Sequence, residues 1–209
     1  MSAPTPVVRV VDDDEAFRTA ITRLLKAGGF DVRAYSSAGD FLLEEGDLLP
    51  GCVVLDLKMP GPDGLELQSA IARRANPLPI VFLTAHGDIA ASVRAMKNGA
   101  EDFLTKPVKK EALFAAIESA LVRDDRRRSE REERDRIRRR FEALSPRERV
   151  VLEHVVAGRL NKQIASAIGT SERTVKAHRA RVMSKMGASS VAELVRSADR
   201  LARSETSRA

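Results

Sequence analysis

The chain has 209 residues, 43% of them apolar and 32% charged, with a formal net charge of +6; this is enough for one large or two ordinary cores, and no apolar run approaches the roughly 20 residues of a membrane-spanning helix. A single cysteine, Cys52, excludes an internal disulfide framework or a cysteine-rich zinc site, and the N-terminus lacks the basic-then-apolar leader of a secreted chain, so a cytoplasmic protein is expected. Residues 1–123 hold 14 Lys/Arg against 17 Asp/Glu, residues 124–140 hold 9 against 6, and residues 141–209 hold 13 against 7, so only the back half is suited to a polyanion.

Met1 to Pro6 reads as a fraying tail. From Val7 onward, short apolar runs alternate with amphipathic ones. Strands are expected at 7–11, 31–35, 52–56, 79–83 and 102–105, and helices at about 14–27, 38–45, 64–75, 88–98 and from about 109. Gly28-Gly29 ends the first helix, in which Phe17, Ala20, Ile21, Leu24 and Leu25 form a core stripe. Asp63, with Glu66 three residues later, makes a capping-box start for the third. Five strands alternating with five helices predict right-handed crossovers and a doubly wound parallel sheet.

In such a sheet the ligand crevice lies at the carboxyl ends of the strands. The first strand delivers Asp12-Asp13-Asp14, and the Val53-Val54-Leu55 run delivers Asp56 before Met59-Pro60-Gly61 reverses the chain. Ile80-Val81-Phe82-Leu83 delivers Thr84, and Asp102-Phe103-Leu104 runs into Thr105-Lys106-Pro107. Alone, Asp56 reads as a strand-end carboxylate capping a turn; its company changes that reading. Carboxylates crowded into one crevice raise one another's pKa unless a cation holds them. A hard divalent ion with oxygen ligands, Mg²⁺ (or Mn²⁺), answers that need.

These residues, in this order, resemble the receiver domain of two-component response regulators over about residues 5 to 123. The resemblance implies a flavodoxin-like (βα)5 sheet of order 2-1-3-4-5 with Asp56 as phosphoacceptor. It implies a metal site of Asp12, Asp13, Asp56 and the Lys58 backbone carbonyl. Thr84 would bond a phosphoryl oxygen, Lys106 would pair with the phosphate, and Phe103 would change rotamer with Thr84 on activation. Lys58 and His86, each two residues beyond a site residue, would influence phosphate lifetime. Receivers commonly make Lys106-Pro107 cis, which aims the lysine inward.

From Lys109 to Phe141 there is neither Gly nor Pro, which favours one long helix. Leu113, Phe114, Ile117, Ala120 and Leu121 pack its first part, but from Arg123 to Arg136 every side chain except Ser129 is charged. This stretch, part of a linker over 123–140, is expected to bury no face and to form no conventional coiled coil. It reads either as a solvated helix supported by pairs such as Glu130 with Arg134 or as a disordered charged tether.

Ser145 as N-cap, Pro146 at N1 and Glu148 at N3 then start a helix with Val150, Val151, Leu152, Val155 and Val156 on its apolar face, ended by Gly158. A short helix from Asn161 closes at Gly169. A basic helix follows from Glu172 to Met186, with Val175, Val182 and Met186 inward and Arg173, Lys176, Arg179 and Arg181 outward. The last helix opens at Ser190, with Glu193 completing another capping box. Short helix, Gly-containing turn and basic helix make a helix-turn-helix.

The runs Leu144-Ser145-Pro146-Arg147-Glu148, Asn161-Lys162-Gln163-Ile164-Ala165 and Ser171-Glu172-Arg173-Thr174-Val175-Lys176-Ala177-His178 resemble the LuxR-type DNA-binding domain. With the receiver in front, the whole chain is similar to NarL/FixJ-family response regulators of the FixJ-like subgroup: receiver at 5–122, linker at 123–140, helix-turn-helix at 141–204. Ala180 departs from relatives that carry Lys there.

The resemblance implies a regulator that takes phosphate from a sensor histidine kinase, dimerises through its fourth helix and fifth strand, and binds double-stranded promoter DNA, with RNA polymerase a further partner. Its own chemistry would be limited to self-phosphorylation and autodephosphorylation. The basic helix would enter the major groove. Lys176 with Arg179 or Arg181 would reach purine acceptors or phosphates, and Lys162, Thr170, Ser171 and Thr174 would contact phosphates. Arg173 and Ala177 complete that surface, and His178 either touches the backbone or covers the helix. Two rival readings are a phosphate-independent DNA-binding dimerisation scaffold and a Mg²⁺-dependent phosphohydrolase, whose pattern would want a second Asp where Lys58 stands.

Overall fold

The computed structural model describes residues 4–43, 49–85 and 89–206. Among them the order is β1 Val7–Val11, α1 Glu15–Ala27, β2 Asp31–Tyr35, α2 Ala38–Leu42, β3 Gly51–Leu55, α3 Gly64–Ala72, β4 Ile80–Thr84, α4 Ile89–Lys97, β5 Asp102–Thr105 and α5 Lys110–Glu142. Four more helices follow: α6 Pro146–Val156, α7 Asn161–Ile168, α8 Glu172–Met186 and α9 Val191–Thr206. The strands are all parallel, in the order β2-β1-β3-β4-β5. The chain forms two compact units, Met1–Arg128 and Ser129–Ala209.

β1, β3 and β4 are buried along their whole length, as strands covered on both faces must be. One face packs Val11, Val53, Leu55 and Phe82 against Phe41, Leu67, Ile71 and Ala95 of α2, α3 and α4. The other packs Val8, Val10, Val54 and Val81 against Ile21 and Leu25 of α1 and Leu113 and Ile117 of α5. Ala20, expected in the α1 stripe, is exposed. Ile21 and Leu25 of the same stripe are buried as expected.

Several boundaries shift by a residue or more. Asp14 accepts from the Phe17 N–H at 3.0 Å, so α1 begins one residue beyond its cap. β3 ends at Leu55, and Asp56 stands just past it with its N–H donated to the Val11 carbonyl at 2.9 Å. β4 is displaced one residue forward, so Thr84 belongs to the strand. α3 stops at Ala72, and α2 reaches only Leu42, the rest of its expected length falling mostly outside the described residues.

Two polar groups inside the first unit were not legible as buried. Arg9, in the middle of β1, is fully enclosed and donates to the carbonyls of Val7 at 3.2 Å and Leu49 at 3.3 Å. Asp124, within the charged run, is 3% exposed and accepts from the Gly51 N–H and from Arg128 Nε, both at 2.8 Å. The expectation that this run buries nothing fails there. Gly51 itself sits at φ +151°, where a Cβ would meet the Val7 carbonyl oxygen at 1.9 Å; only glycine fits.

The second unit has its own core of Ile137, Leu144, Val151, Leu152, Val155, Ile164, Val175, Val182, Met186 and Leu194. Ile137 comes from the end of α5, so that helix contributes to this core as well. Ser145 and Glu148 close the expected capping box on α6. At α9 the reciprocal bond differs: Glu193 accepts from the Ser189 N–H at 2.7 Å, while Ser190 Oγ accepts from the Glu193 N–H at 3.2 Å.

Candidate functional site

The carboxyl ends of β1, β3 and β5 bring Asp12, Asp56 and Lys106 into one crevice. Asp12 and Asp56 are buried, and Asp13 is exposed. One carboxylate oxygen from each of Asp12, Asp13 and Asp56 lies within 4.8 Å of the others, the one such acidic cluster among the described residues. Lys106 Nζ donates to Asp12 Oδ2 at 2.6 Å and stands 3.5 Å from Asp56 Oδ1. The Lys106–Pro107 peptide is cis.

Burial is the main reason the Asp56 pKa lies above the ordinary carboxylate range. The Lys106 charge opposes that rise and the Asp12 charge adds to it. Asp56 Oδ1 is a buried acceptor that receives no hydrogen bond. A three-carboxylate donor set with one orphaned oxygen suits a hard divalent cation such as Mg²⁺.

Local structure explains the placement. Asp12 Oδ1 accepts from the Asp14 N–H at 3.0 Å, and Asp14 in turn caps α1. Arg18, one turn into α1, donates to the Asp12 carbonyl at 2.7 Å. Thr84 is buried at the end of β4, and its carbonyl accepts from the Lys106 N–H at 2.7 Å. Phe103 is half-buried, its ring centroid 6.0 Å from that of Phe82. Lys58 is exposed just beyond Asp56. His86 lies outside the described residues. Sequence reasoning missed the parts played by Asp14 and Arg18, although an Asp directly before a helical run is an N-cap signal.

The second constellation is α7, its turn and α8. Gly169 ends α7 in the left-handed conformation at φ 64°, as a helix C-terminus here requires. Ser171 Oγ accepts from the Thr174 N–H at 3.1 Å and lies 2.9 Å from Thr174 Oγ1, which fixes the start of α8. Val175, Val182 and Met186 are buried. Lys162, Ser171, Arg173, Thr174, Lys176, Ala177, Ala180 and Arg181 are exposed, and Thr170 is half-buried. Arg179, expected outward, is half-buried, since it follows Val175 by four positions and precedes Val182 by three on the inward side. His178 is also half-buried, and its Nδ1 is enclosed without a hydrogen-bond partner.

Comparison with known proteins finds both constellations. Residues 8–118 match the response regulator receiver domain, and residues 142–198 match the bacterial regulatory proteins of the luxR family. Nodulation protein W of Bradyrhizobium diazoefficiens is 42% identical over 195 residues, covering 93% of this chain and 86% of its own. The transcriptional regulatory protein FixJ of the same organism is 45% identical over 198 residues, 92% of this chain and 94% of its own. A solved structure of the response regulator StyR superimposes with a TM-score of 0.87 at 43% identity, over 94% of this chain and 100% of that one.

Proposed function

Because this chain belongs to the two-component response regulators that join a receiver domain to a LuxR-type DNA-binding domain, we propose that a phosphoryl group accepted by Asp56 governs how α8 meets promoter DNA. The observation that carries the reading is the approach of Lys106 Nζ to Asp12 at 2.6 Å and to Asp56 at 3.5 Å, within the acidic cluster. An Asp56 oxygen attacks the phosphorus of a phosphohistidine on a sensor kinase. The P–N bond breaks, the imidazole leaves, and an acyl phosphate forms. With acetyl phosphate as donor, the same attack breaks a P–O bond and releases acetate.

Asp12, Asp13, Asp56 and the Lys58 carbonyl would hold Mg²⁺ (or Mn²⁺), which when bound neutralises charge on the phosphoryl oxygens. Lys106 pairs with one phosphoryl oxygen and the Thr84 hydroxyl donates to another. The added charge biases the Thr84 and Phe103 side chains toward a second arrangement. α4 leaves Ile89, Val93 and Met96 exposed, an apolar face suited with β5 to a two-fold contact between phosphorylated chains. Paired α8 helices then read two half-sites. Lys58, together with His86, tunes how long the acyl phosphate lasts.

Acetyl-phosphate labelling tests the acceptor: Asp56→Asn abolishes it, and retained labelling removes Asp56 from that role. Footprinting on promoter fragments with and without phosphodonor tests the switch. Equal protection in both states would favour the phosphate-independent scaffold.

A further inference from the structure

Lys106 has a third neighbour besides the two carboxylates. Its Nζ lies 4.0 Å from the centroid of the Phe17 ring, well inside the range in which an ammonium is attracted to an aromatic face. The Lys106 side chain is only 13% exposed, so this contact replaces water that the ammonium would otherwise keep.

The position of the ring is built in. Phe17 is the third residue of α1, and its N–H is the one that Asp14 caps at 3.0 Å. Asp14 is tied through its own N–H to Asp12 Oδ1. The acidic loop, the helix start and the ring are therefore one hydrogen-bonded piece. Phe17 is half-buried and packs against the core face to which α1 and α5 contribute.

We propose that Phe17 is a positioning residue for phosphoryl acceptance: its ring holds the Lys106 ammonium over the crevice without competing for the phosphoryl group. A third carboxylate in that place would add negative charge and repel the incoming phosphate; an aliphatic chain would leave Asp12 and Asp56 alone to hold the ammonium. A ring face attracts the cation, carries no net charge and sheds water. This inference rests on Asp56 and Lys106 acting as described above.

The test uses the full chain in three forms: wild type, Phe17→Leu, which keeps an apolar filling but removes the ring, and Phe17→Trp, which restores an aromatic face. The first readout is NMR of lysine-labelled protein without added metal or phosphodonor, with Lys106 identified by Lys106→Arg. Its ε-methylene protons are shifted upfield by the ring in the wild type, lose that shift in Phe17→Leu and regain it in Phe17→Trp. The second is the rate of acetyl-phosphate labelling against donor concentration. Phe17→Leu lowers the maximal rate roughly three- to thirtyfold, the range of a cation–π contact that is partly or fully desolvated. The half-saturating donor concentration changes less than twofold, and Phe17→Trp recovers most of the rate. No ring-induced shift in the wild type, full-rate labelling of Phe17→Leu, or a Phe17→Trp rate no better than that of Phe17→Leu overturns the proposal. Labelling that survives Asp56→Asn while the ring shift is present would instead locate the failure in the acceptor assignment.

Discussion

Asp56 is buried beside Asp12, and burial first, then that neighbour, holds its pKa above the usual carboxylate range against the pull of Lys106. The ionised group therefore weakens the folded receiver at neutral pH. Asp56→Asn raises the thermal midpoint of the chain in the presence of a chelator. The gain is absent at a pH below the ordinary value of 3.8, where Asp56 is neutral in both folded and unfolded chains. It grows through the raised folded pKa and is constant above it. Melting curves across that range check the sign; a lower midpoint for Asp56→Asn at neutral pH would contradict it. Asp12, Asp56 and Thr84 were legible because each stands at the end of a buried apolar run, and Lys106 because it directly follows the half-buried fifth strand, where a parallel sheet presents side chains to its crevice. Phe17 was read as one more core residue, since apolar periodicity records that a side chain is covered and not that a cation covers it.

At the scale of elements, the second unit is held by cations that close helix ends. Arg140 donates to the Met186 carbonyl at the end of α8, and Arg147 to the Ile168 carbonyl at the end of α7. Lys185 and Arg149 donate to the carbonyls of Ala143 and Glu142 at the end of α5. Such ends carry free carbonyls and a partial negative charge. Part of the basic excess read as a nucleic-acid surface is thus engaged inside the domain, and composition cannot separate the two uses. Lys185 Nζ also meets Glu148 at 2.7 Å. That bond and the Ser145 N–H hold the Glu148 pKa down at about 2. Because the folded pKa is depressed, the pair stabilises fully above the ordinary glutamate value of 4.5 and loses its effect as pH falls toward about 2. Glu148→Gln should lower the stability of α6 and α8 at neutral pH, with the gap to wild type narrowing over that window. Amide hydrogen exchange in those helices reads this directly, and a gap independent of pH would remove the carboxylate as its cause. The capping box was legible for α6, where Ser and Glu stand three apart around a proline. At α9 the Ser190 cap was legible too, but the Glu193 carboxylate takes its reciprocal bond from the Ser189 N–H, one residue earlier.

Across the whole molecule, the proposed reading puts DNA against the residues left exposed on α7 and α8. Lys162 stands outward at the start of α7, a position suited to phosphate rather than bases. Lys162→Ala should weaken binding to specific and unrelated duplexes alike. It should also make the plot of log affinity against log salt shallower by about 0.9 per bound protomer; anisotropy titrations at several salt concentrations check this, and an unchanged slope would remove Lys162 from the contact. No described helix is long and apolar enough to cross a membrane. The order of the elements could be read almost throughout, because each apolar run is short and bounded. The charged run was harder. One carboxylate among many, Asp124, finds a backbone N–H 73 residues away, and nothing local in sequence marks it.

That bond sets a rule for anyone grafting this receiver domain onto a different output. A splice placed where the apolar stripe of α5 runs out, after Val122, would discard Asp124 and strand the amide of Gly51, a residue whose neighbour across the sheet leaves no room to rebuild. Hybrids joined after Arg128 keep both halves of that clasp and should express as folded protein, whereas the shorter fusions should not.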